Sequence, residues 1–223
     1  MKPIRPAIHC VLFDLDGTLL DTAPDLICCL QEALEEHGYP TIDVSAVKPF
    51  ISLGALAMIE HGTGKLLSHI EQESVLHTML LRYEQYIARH TVLFPGMDRV
   101  LAFIENKGMP WGIVTNKKQR FTLPLLHQLK LDQRVVCAVS GDSIAYQKPD
   151  PQPLWLACRQ AGVSAEQCVY IGDAAHDILA GRRAGMQTLV ATYGYLKPGD
   201  TPEYWHADGL LGSPLDLLNW LEQ

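Results

Sequence analysis

Short apolar runs rich in β-branched residues alternate with amphipathic stretches along most of the chain. The apolar runs predict buried strands over 10–15, 111–115, 135–139, 168–172 and 188–192. The amphipathic stretches predict helices over 97–107, 118–130, 151–161 and 175–185, and a closing helix over 214–222. Strands that are apolar throughout and alternate with helices are typical of a parallel sheet covered on both faces. We therefore predict an α/β fold built on a doubly wound, Rossmann-like parallel sheet.

The interval 21–91 breaks this alternation, because its patterns are helical and it contains no convincing strand. Thr22, with Pro24 close behind it, predicts a helix N-cap, and Gly38 predicts the end of that helix. Further helices are predicted near 45–61 and 71–90. A helical insertion after the first strand would lie beyond the carboxyl ends of the strands, where a lid can cover a site. The predicted division is a core of 1–20 and 92–223 and a helical cap domain of 21–91.

Composition narrows the function classes. The chain has 223 residues, 48% of them hydrophobic, which is enough to bury a substantial core. Its net charge of −7 argues against binding to nucleic acid or to acidic membranes, which reward basic surfaces. The N-terminal residues do not read as a secretory signal, no apolar run is long enough to span a bilayer, and the six cysteines lack C-x-x-C spacing. We expect a reduced, cytoplasmic protein that is a monomer or a weak homodimer.

The first strand ends in an acidic cluster, DLDGT, at residues 14–18. Asp14 and Asp16 should face the same way, and two charges ~4 Å apart repel by roughly 4 kcal/mol at a dielectric of about 20. A shared proton, a bound cation or a chemical role must offset this repulsion. One carboxylate could act as a nucleophile or hold a cation while the other moves a proton. Gly17 would let the backbone approach a ligand closely, and Thr18 offers a hydroxyl.

Two further clusters carry groups suited to phosphate oxygens. The strand predicted over 111–115 ends in Thr115 and Asn116, which are followed by Lys117. Hydroxyl, amide and free backbone N–H groups at a strand end can bind phosphate. Lys148 lies in YQKPDPQP, where Pro149 holds the backbone extended, so its ammonium group could be directed inward as a counter-charge.

A second acidic cluster follows another buried strand, with Asp173 directly after Gly172 and Asp177 four residues later. One of these carboxylates could simply cap a helix, and His176 between them is expected to be solvated or to cap. In a parallel sheet, however, all of these strand ends meet at one edge. Four carboxylates, a lysine and no His or Cys ligand set predict an oxygen-rich Mg²⁺ site that holds a phosphoryl group.

The motifs resemble those of the haloacid dehalogenase superfamily, phosphatase branch, over the whole chain. They are D-x-D-G-T at 14–18, the Thr115-Asn116 pair, Lys148 and G-D-x-x-x-D at 172–177, in the family's order. The resemblance implies that Asp14 attacks phosphorus to form an aspartyl-phosphate. It implies that Asp16 protonates the leaving oxygen and then activates water.

The same resemblance implies the ligand sets. Mg²⁺ would bind Asp14, the backbone carbonyl of Asp16, and Asp173, while Asp177 supports the metal waters and Lys148. The phosphoryl oxygens would be held by Thr115, the Asn116 backbone and Lys148. Electrostatic positioning of this kind is what phosphoryl transfer chiefly requires.

Within the superfamily, the helical insertion resembles the cap of phosphoglycolate phosphatases. The strings LLDTAPD, TNKxxRF, KPDPxPL and YGYxxP are most similar to bacterial N-acetylmuramic acid 6-phosphate phosphatases. One departure is that Leu53 and Leu56 stand where those relatives carry Gly and Arg. Both implied substrates are small phosphate esters with a carboxylate, which Lys117 or Arg120 could bind.

Two other functions fit part of this pattern. A phosphotransferase of the β-phosphoglucomutase type shares the capped architecture, although Gly17-Thr18 favours hydrolysis over transfer. A receiver-type phospho-accepting module also uses strand-end aspartates, Mg²⁺ and a Thr/Lys pair. Such modules are about half this length and lack the helical insertion. An enzyme would release phosphate repeatedly, whereas a receiver would stop after one equivalent.

Overall fold

A computed structural model describes residues 7–222. Within them, eight strands form two sheets: β1 (Cys10–Phe13), β2 (Leu20–Asp21), β3 (Val92–Leu93), β4 (Trp111–Val114), β5 (Cys137–Val139), β6 (Cys168–Gly172), β7 (Gln187–Ala191) and β8 (Gly209–Leu211). The larger sheet has the order β5-β4-β1-β6-β7-β8, and each neighbouring pair is parallel. The predicted doubly wound parallel sheet is confirmed, with β8 as an additional edge strand.

Helices fill the connections between the strands. In chain order the α-helices are α1 (Ala23–Glu36), α2 (Val44–Val47), α3 (Ala55–Gly62), α4 (His69–Gln85), α5 (Met97–Asn106), α6 (Gln119–Gln128), α7 (Gln152–Ala161), α8 (Ala175–Ala184) and α9 (Asp216–Leu221). Three 3₁₀ helices cover Lys48–Leu53, Ala165–Gln167 and Pro202–Tyr204. None of the helices in residues 7–222 combines the length and apolarity that crossing a membrane requires.

The central strand β1 shows why the sheet is covered on both faces. Successive side chains of a strand point to opposite faces. Val11 and Phe13 pack into one apolar cluster, and Cys10 and Leu12 pack into a second cluster on the other side. All four are fully buried. This double burial explains the absence of an apolar–polar alternation in the strand. The strand order places the carboxyl end of β1 near the middle of the sheet edge.

We call the helices α1 to α4 the helical insertion. A two-stranded antiparallel ribbon of β2 and β3 connects it to the rest of the protein. Asp25 ties the two ends together, since its carboxylate accepts hydrogen bonds from the backbone N–H groups of His90 and Thr91 at 2.8 and 3.0 Å. The Tyr195 hydroxyl donates to Asp21 Oδ1 (2.7 Å) and accepts from the Ala23 N–H (3.0 Å). The ribbon is therefore fastened to the larger sheet's loops.

The structure refines two local predictions in the insertion. The helical stretch predicted near 45–61 consists of three elements, α2, the 3₁₀ helix Lys48–Leu53 and α3. It is divided because Pro49 cannot supply a backbone donor and Gly54 adopts φ +96°. Thr22 occupies the N-cap position of α1, as predicted, but it makes no capping hydrogen bond. Its hydroxyl instead donates to Asp16 Oδ1 at 2.6 Å.

Candidate active site

Three carboxylates meet at the carboxyl ends of β1 and β6. Asp14 directly follows β1, and its N–H donates to the Ile171 carbonyl of the adjacent parallel strand at 2.8 Å. Asp173 directly follows β6, and Asp177 lies in the first turn of α8. One oxygen from each of these three side chains lies within 4.8 Å of the others, and all three side chains are buried. The predicted convergence of the two acidic clusters is present in the structure.

Lys148 supplies the positive charge beside these carboxylates. Its Nζ lies 2.6 Å from Asp14 Oδ1 and 2.7 Å from Asp177 Oδ1, and the residue is 4% exposed. Nζ also donates to the Val114 carbonyl at 3.0 Å and to the Tyr170 hydroxyl at 2.8 Å. A buried lysine with this many acceptors is held firmly in one position.

The loop that carries Lys148 is held by Asn116, at the end of β4. The amide Nδ2 of Asn116 donates to the Lys148 carbonyl at 3.1 Å, and the Lys148 N–H donates back to Asn116 Oδ1 at 3.0 Å. Thr115 precedes Asn116, is buried, and accepts a hydrogen bond from the Lys117 N–H through its Oγ1 at 3.1 Å. The end of β4 therefore brings Thr115, Asn116 and Lys148 to one place.

Asp16 lies at the same edge but has different partners. Lys117 Nζ donates to Asp16 Oδ1 at 2.9 Å and to Oδ2 at 3.3 Å, and Thr22 also donates to Oδ1. The side chains of Lys117 and Asp16 are 8% and 14% exposed, so the pair is shielded from water but opens on the cavity described below. This carboxylate is consequently oriented by groups from the core and from the start of α1.

Gly17 is required by the packing of the acidic residues. It adopts φ +85°, and a Cβ at this position would lie 2.2 Å from Asp173 Oδ2. The sequence predicted that Gly17 would allow close approach of a ligand, whereas the close approach observed is that of Asp173. Thr18 is fully buried, and its Oγ1 has no hydrogen-bond partner among the described residues. Neither residue lines the cavity.

The crowded charges shift the ionisation of the three carboxyl groups. Burial raises the pKa of Asp14 to about 7, with Lys148 opposing the shift and Asp177 adding to it. Burial, with the nearby Asp14 and Asp177, raises the pKa of Asp173 well above its usual range. Burial acts to raise the pKa of Asp177 as well, but the Lys148 ammonium outweighs it and the pKa is lowered.

The residues present fit a divalent cation. Asp173 Oδ2 accepts hydrogen bonds from the Ser52 hydroxyl (2.9 Å) and the Tyr195 N–H (2.8 Å). Its other oxygen, Oδ1, is buried and has no hydrogen-bond partner within residues 7–222. A cation among the three carboxylates would favour their charged forms and give this oxygen a partner. Donor sets made only of carboxylate oxygens suit hard ions such as Mg²⁺ or Ca²⁺.

A cavity of about 390 Å³ opens between these residues and the helical insertion. Its floor includes Asp14, Asp16, Thr115 and Lys148. The insertion supplies a mostly apolar wall: Leu26, Ile51, Leu53, Leu56, Met58, Leu76 and Leu80. A phosphate group could therefore reach Asp14 while the rest of a ligand lies against the insertion.

Several cavity residues were not predicted from the sequence. Ser52, Tyr83 and Gln147 line the cavity, and so does His176, for which the sequence predicts a solvated or helix-capping side chain. Arg120 is not among the lining residues: it is exposed, and its guanidinium lies 4.5 Å from the centre of the Phe121 ring.

Comparisons with known proteins identify relatives of the whole chain. Residues 11–191 match the family model of the haloacid dehalogenase-like hydrolases. The chain is 40% identical over 223 residues to N-acetylmuramic acid 6-phosphate phosphatase of Pseudomonas aeruginosa, covering 100% of this chain and 98% of that protein. It is 40% identical over 210 residues to a phosphoglycolate phosphatase of Xanthomonas campestris pv. campestris, covering 93% of each. The crystal structure of a predicted phosphoglycolate phosphatase from Haemophilus somnus superposes with a TM-score of 0.85 at 25% identity, covering 96% of this chain and 97% of that one.

Proposed function

The chain belongs to the haloacid dehalogenase-like hydrolases, and we propose that it is a Mg²⁺-dependent phosphatase acting through an aspartyl-phosphate. Its substrate would be a small phosphate ester that also carries a carboxylate, N-acetylmuramic acid 6-phosphate or 2-phosphoglycolate. The observation that carries the proposal is the buried Asp14, which lies beside Lys148 and two further carboxylates at the floor of a cavity. The names of the 40% identical relatives support phosphatase chemistry.

In this proposal Asp14 is the nucleophile that attacks phosphorus. A carboxylate must be ionised to attack, and Lys148 at 2.6 Å favours the ionised form against the effect of burial. The attack forms a bond between an Asp14 oxygen and phosphorus and breaks the bond from phosphorus to the leaving oxygen. A later attack by water on phosphorus would release phosphate and regenerate Asp14.

Asp16 is proposed to protonate the leaving oxygen and later to take a proton from the attacking water. Its contacts with Thr22 and Lys117 hold the carboxylate at the cavity, where it can reach the oxygen opposite Asp14. Positioned proton transfer typically contributes about 10²–10⁴-fold to a rate. The phosphoryl oxygens would be held by Thr115, the Asn116 backbone N–H and Lys148.

Mg²⁺ is proposed to be held by Asp14, Asp173 and the backbone carbonyl of Asp16, with Asp177 supporting it through water and through Lys148. When bound, the ion supplies positive charge next to the phosphoryl oxygens, which lowers the cost of the charge that develops there. The unpartnered Asp173 Oδ1 supports its assignment as a ligand.

We propose that the segment 21–91 is a cap that closes over the substrate. Ser52 of the insertion touches Asp173, and apolar side chains of the insertion line the cavity opposite Asp14. A volume of about 390 Å³ falls in the range of small-molecule sites and accommodates an ester larger than a two-carbon acid. This favours N-acetylmuramic acid 6-phosphate over 2-phosphoglycolate. The six free thiols accord with a reducing cytoplasm.

The test is phosphate release from both esters and from p-nitrophenyl phosphate, measured with Mg²⁺ and with EDTA. We expect many turnovers per enzyme with Mg²⁺, none with EDTA, and none for Asp14→Asn under either condition. Arrest after one equivalent would instead indicate a phospho-accepting module. Formation of an isomeric sugar phosphate without free phosphate would indicate a phosphotransferase. Turnover that survives in Asp14→Asn would overturn the proposal.

A further inference from the structure

Tyr83 of α4 lines the cavity and carries a buried hydroxyl. The residue is 1% exposed and lines the cavity, and its Oη has no hydrogen-bond partner among the residues that the structure describes. Its ring is fixed against Phe121, with the ring centres 5.5 Å apart. An unsatisfied buried hydroxyl costs roughly 1–3 kcal/mol, so its persistence calls for an explanation. Burial raises the pKa of Tyr83 to about 12, and the group therefore stays a hydrogen-bond donor at neutral pH.

Lys117 lies next to this hydroxyl and comes from the other side of the cavity. Its Nζ is 4.6 Å from the centre of the Tyr83 ring and 2.9 Å from Asp16 Oδ1. An ammonium group has three N–H donors, and the two Asp16 oxygens accept from at most two of them. The ammonium also acts to lower the pKa of the Tyr83 hydroxyl, so the two groups lie side by side and can bind one anionic group together.

The other cationic groups around the cavity are committed or unsuitable. Lys148 is occupied by Asp14 and Asp177 at 2.6 and 2.7 Å. Lys118 also lines the cavity, but it is exposed at the N-cap of α6, where water screens its charge. Burial lowers the pKa of His176, which favours the neutral imidazole. Lys117, which is paired with Asp16 alone among the carboxylates, is therefore the buried cation that we assign to an anionic group beyond the phosphate.

We propose that Tyr83 Oη and Lys117 Nζ together bind the carboxylate of the substrate's leaving group. The inference rests on the proposed phosphatase function and names the groups that select its substrate class. Lys117 contacts Asp16, the residue proposed to protonate the leaving oxygen, so this pair faces the leaving group and not the transferred phosphate. The carboxylate would accept one hydrogen bond from each residue and would give the Tyr83 hydroxyl its partner.

Tyr83 and Lys117 come from two different parts of the molecule. Tyr83 belongs to the helical insertion and Lys117 follows β4 of the larger sheet, so both donors reach one carboxylate only when the insertion lies over the sheet edge as observed. Binding of the carboxylate then stabilises the arrangement in which the cavity is covered. An ester without a carboxylate gains no such stabilisation.

The test compares esters that differ in the carboxylate, using Tyr83→Phe and the full chain. The pairs are N-acetylmuramic acid 6-phosphate with N-acetylglucosamine 6-phosphate, and 2-phosphoglycolate with ethyl phosphate. We expect Tyr83→Phe to lower kcat/KM for the carboxylate ester at least about tenfold relative to its partner, mainly through KM, because hydrogen bonds to charged groups are among the stronger ones. Tyr86→Phe is the matched control, since it removes a hydroxyl from an exposed residue directly after α4, outside the cavity. For Tyr86→Phe, the ratio of kcat/KM for the carboxylate ester to kcat/KM for its partner ester should equal that of the wild type.

Each outcome has a distinct meaning. A ratio unchanged in Tyr83→Phe overturns the inference, whatever its thermal stability. An equal loss on both members of a pair also overturns it, because the hydroxyl would then act on catalysis through Lys117 and Asp16. If the wild type turns over none of the four esters, the proposed function itself fails. The pair of esters for which Tyr83→Phe lowers the kcat/KM ratio identifies which substrate carboxylate the site binds.

Discussion

Asp173→Asn should stabilise the metal-free protein while it abolishes phosphatase activity. The substitution replaces a buried carboxyl with a neutral group of the same shape. Its amide oxygen can still accept the hydrogen bonds from Ser52 and the Tyr195 N–H. What disappears is a carboxyl that, beside Asp14 and Asp177, must either carry a negative charge or be held protonated. The metal then loses a ligand, so activity should fall to the background level.

The size of the stabilisation expected for Asp173→Asn follows from the spacing of the three carboxylates. Ligand oxygens lie within 4.8 Å of one another. Two charges at that separation repel by about 3.5 kcal/mol at an effective dielectric of ~20. Protonation of Asp173 relieves the repulsion. Keeping Asp173 protonated at pH 7 lowers the free energy of unfolding by at most about 4 kcal/mol. The ordinary pKa of this carboxyl is 3.8, and each pH unit above it costs about 1.36 kcal/mol. The folded pKa is raised, so this penalty is absent below about pH 4 and grows as the pH rises.

The assay is thermal unfolding of wild type and variant in EDTA and in Mg²⁺, at pH 4 and pH 7. We expect the free energy of unfolding of the variant to exceed that of the wild type by about 1–4 kcal/mol at pH 7 without metal, and to equal it at pH 4. Each kcal/mol corresponds to about 2–4 °C in Tm. Mg²⁺ should raise the Tm of the wild type and leave the variant nearly unchanged.

Asp25→Asn is the matched control for this experiment. Asp25 is also buried, but its oxygens accept three hydrogen bonds, from His90 and from the N–H and hydroxyl of Thr91. An amide cannot accept through its NH₂ group, so this variant should lose about 1–3 kcal/mol. The reasoning is refuted if Asp173→Asn is less stable than the wild type in EDTA at pH 7, or if it keeps the full Tm rise with Mg²⁺.

Three further predictions concern groups that hold the site together. Lys148→Met should destabilise the metal-free protein by about 3–5 kcal/mol, because it leaves two buried carboxylates without their counter-charge; a Tm within about 2 °C of the wild type would contradict this. Gly17→Ala should lose both stability and activity, since its Cβ would lie 2.2 Å from Asp173 Oδ2 at φ +85°; wild-type phosphate release would show that the loop has room. Tyr195→Phe should lower the free energy of unfolding by about 1–3 kcal/mol, because the Ala23 N–H and a carboxylate oxygen of the ribbon lose their buried partner; chemical denaturation measures the change, and an unaltered free energy would argue against the fastening role.

The larger sheet was predictable because its strands carry a strong signal. Runs such as CVYIG are apolar at every position, and burial on both faces demands that pattern. The ribbon strands β2 and β3 have two residues each, which is too short for any periodicity. The edge strand β8 is similarly brief and half-exposed, so its pairing with β7 depends on the rest of the sheet.

The candidate site also contains some residues that the sequence predicts and others that it does not. Asp14, Thr115 and Asp173 were predictable because each directly follows a buried strand, and parallel strands bring their carboxyl ends together. Tyr83 and Ser52 were not, because their position depends on how the insertion packs over the sheet edge. Tyr170 did carry a usable signal: it is the one hydroxyl inside an otherwise apolar strand, and a buried hydroxyl needs a partner, which here is Lys148.

Chemical trapping of the proposed intermediate tests the central claim most directly. Enzyme turning over N-acetylmuramic acid 6-phosphate or 2-phosphoglycolate in Mg²⁺ is quenched with borohydride, which reduces an aspartyl-phosphate to homoserine, and is then mapped by peptide mass spectrometry. Homoserine should be found at position 14, only when substrate and Mg²⁺ are both present. An active enzyme that yields unmodified Asp14 under these conditions would contradict the account.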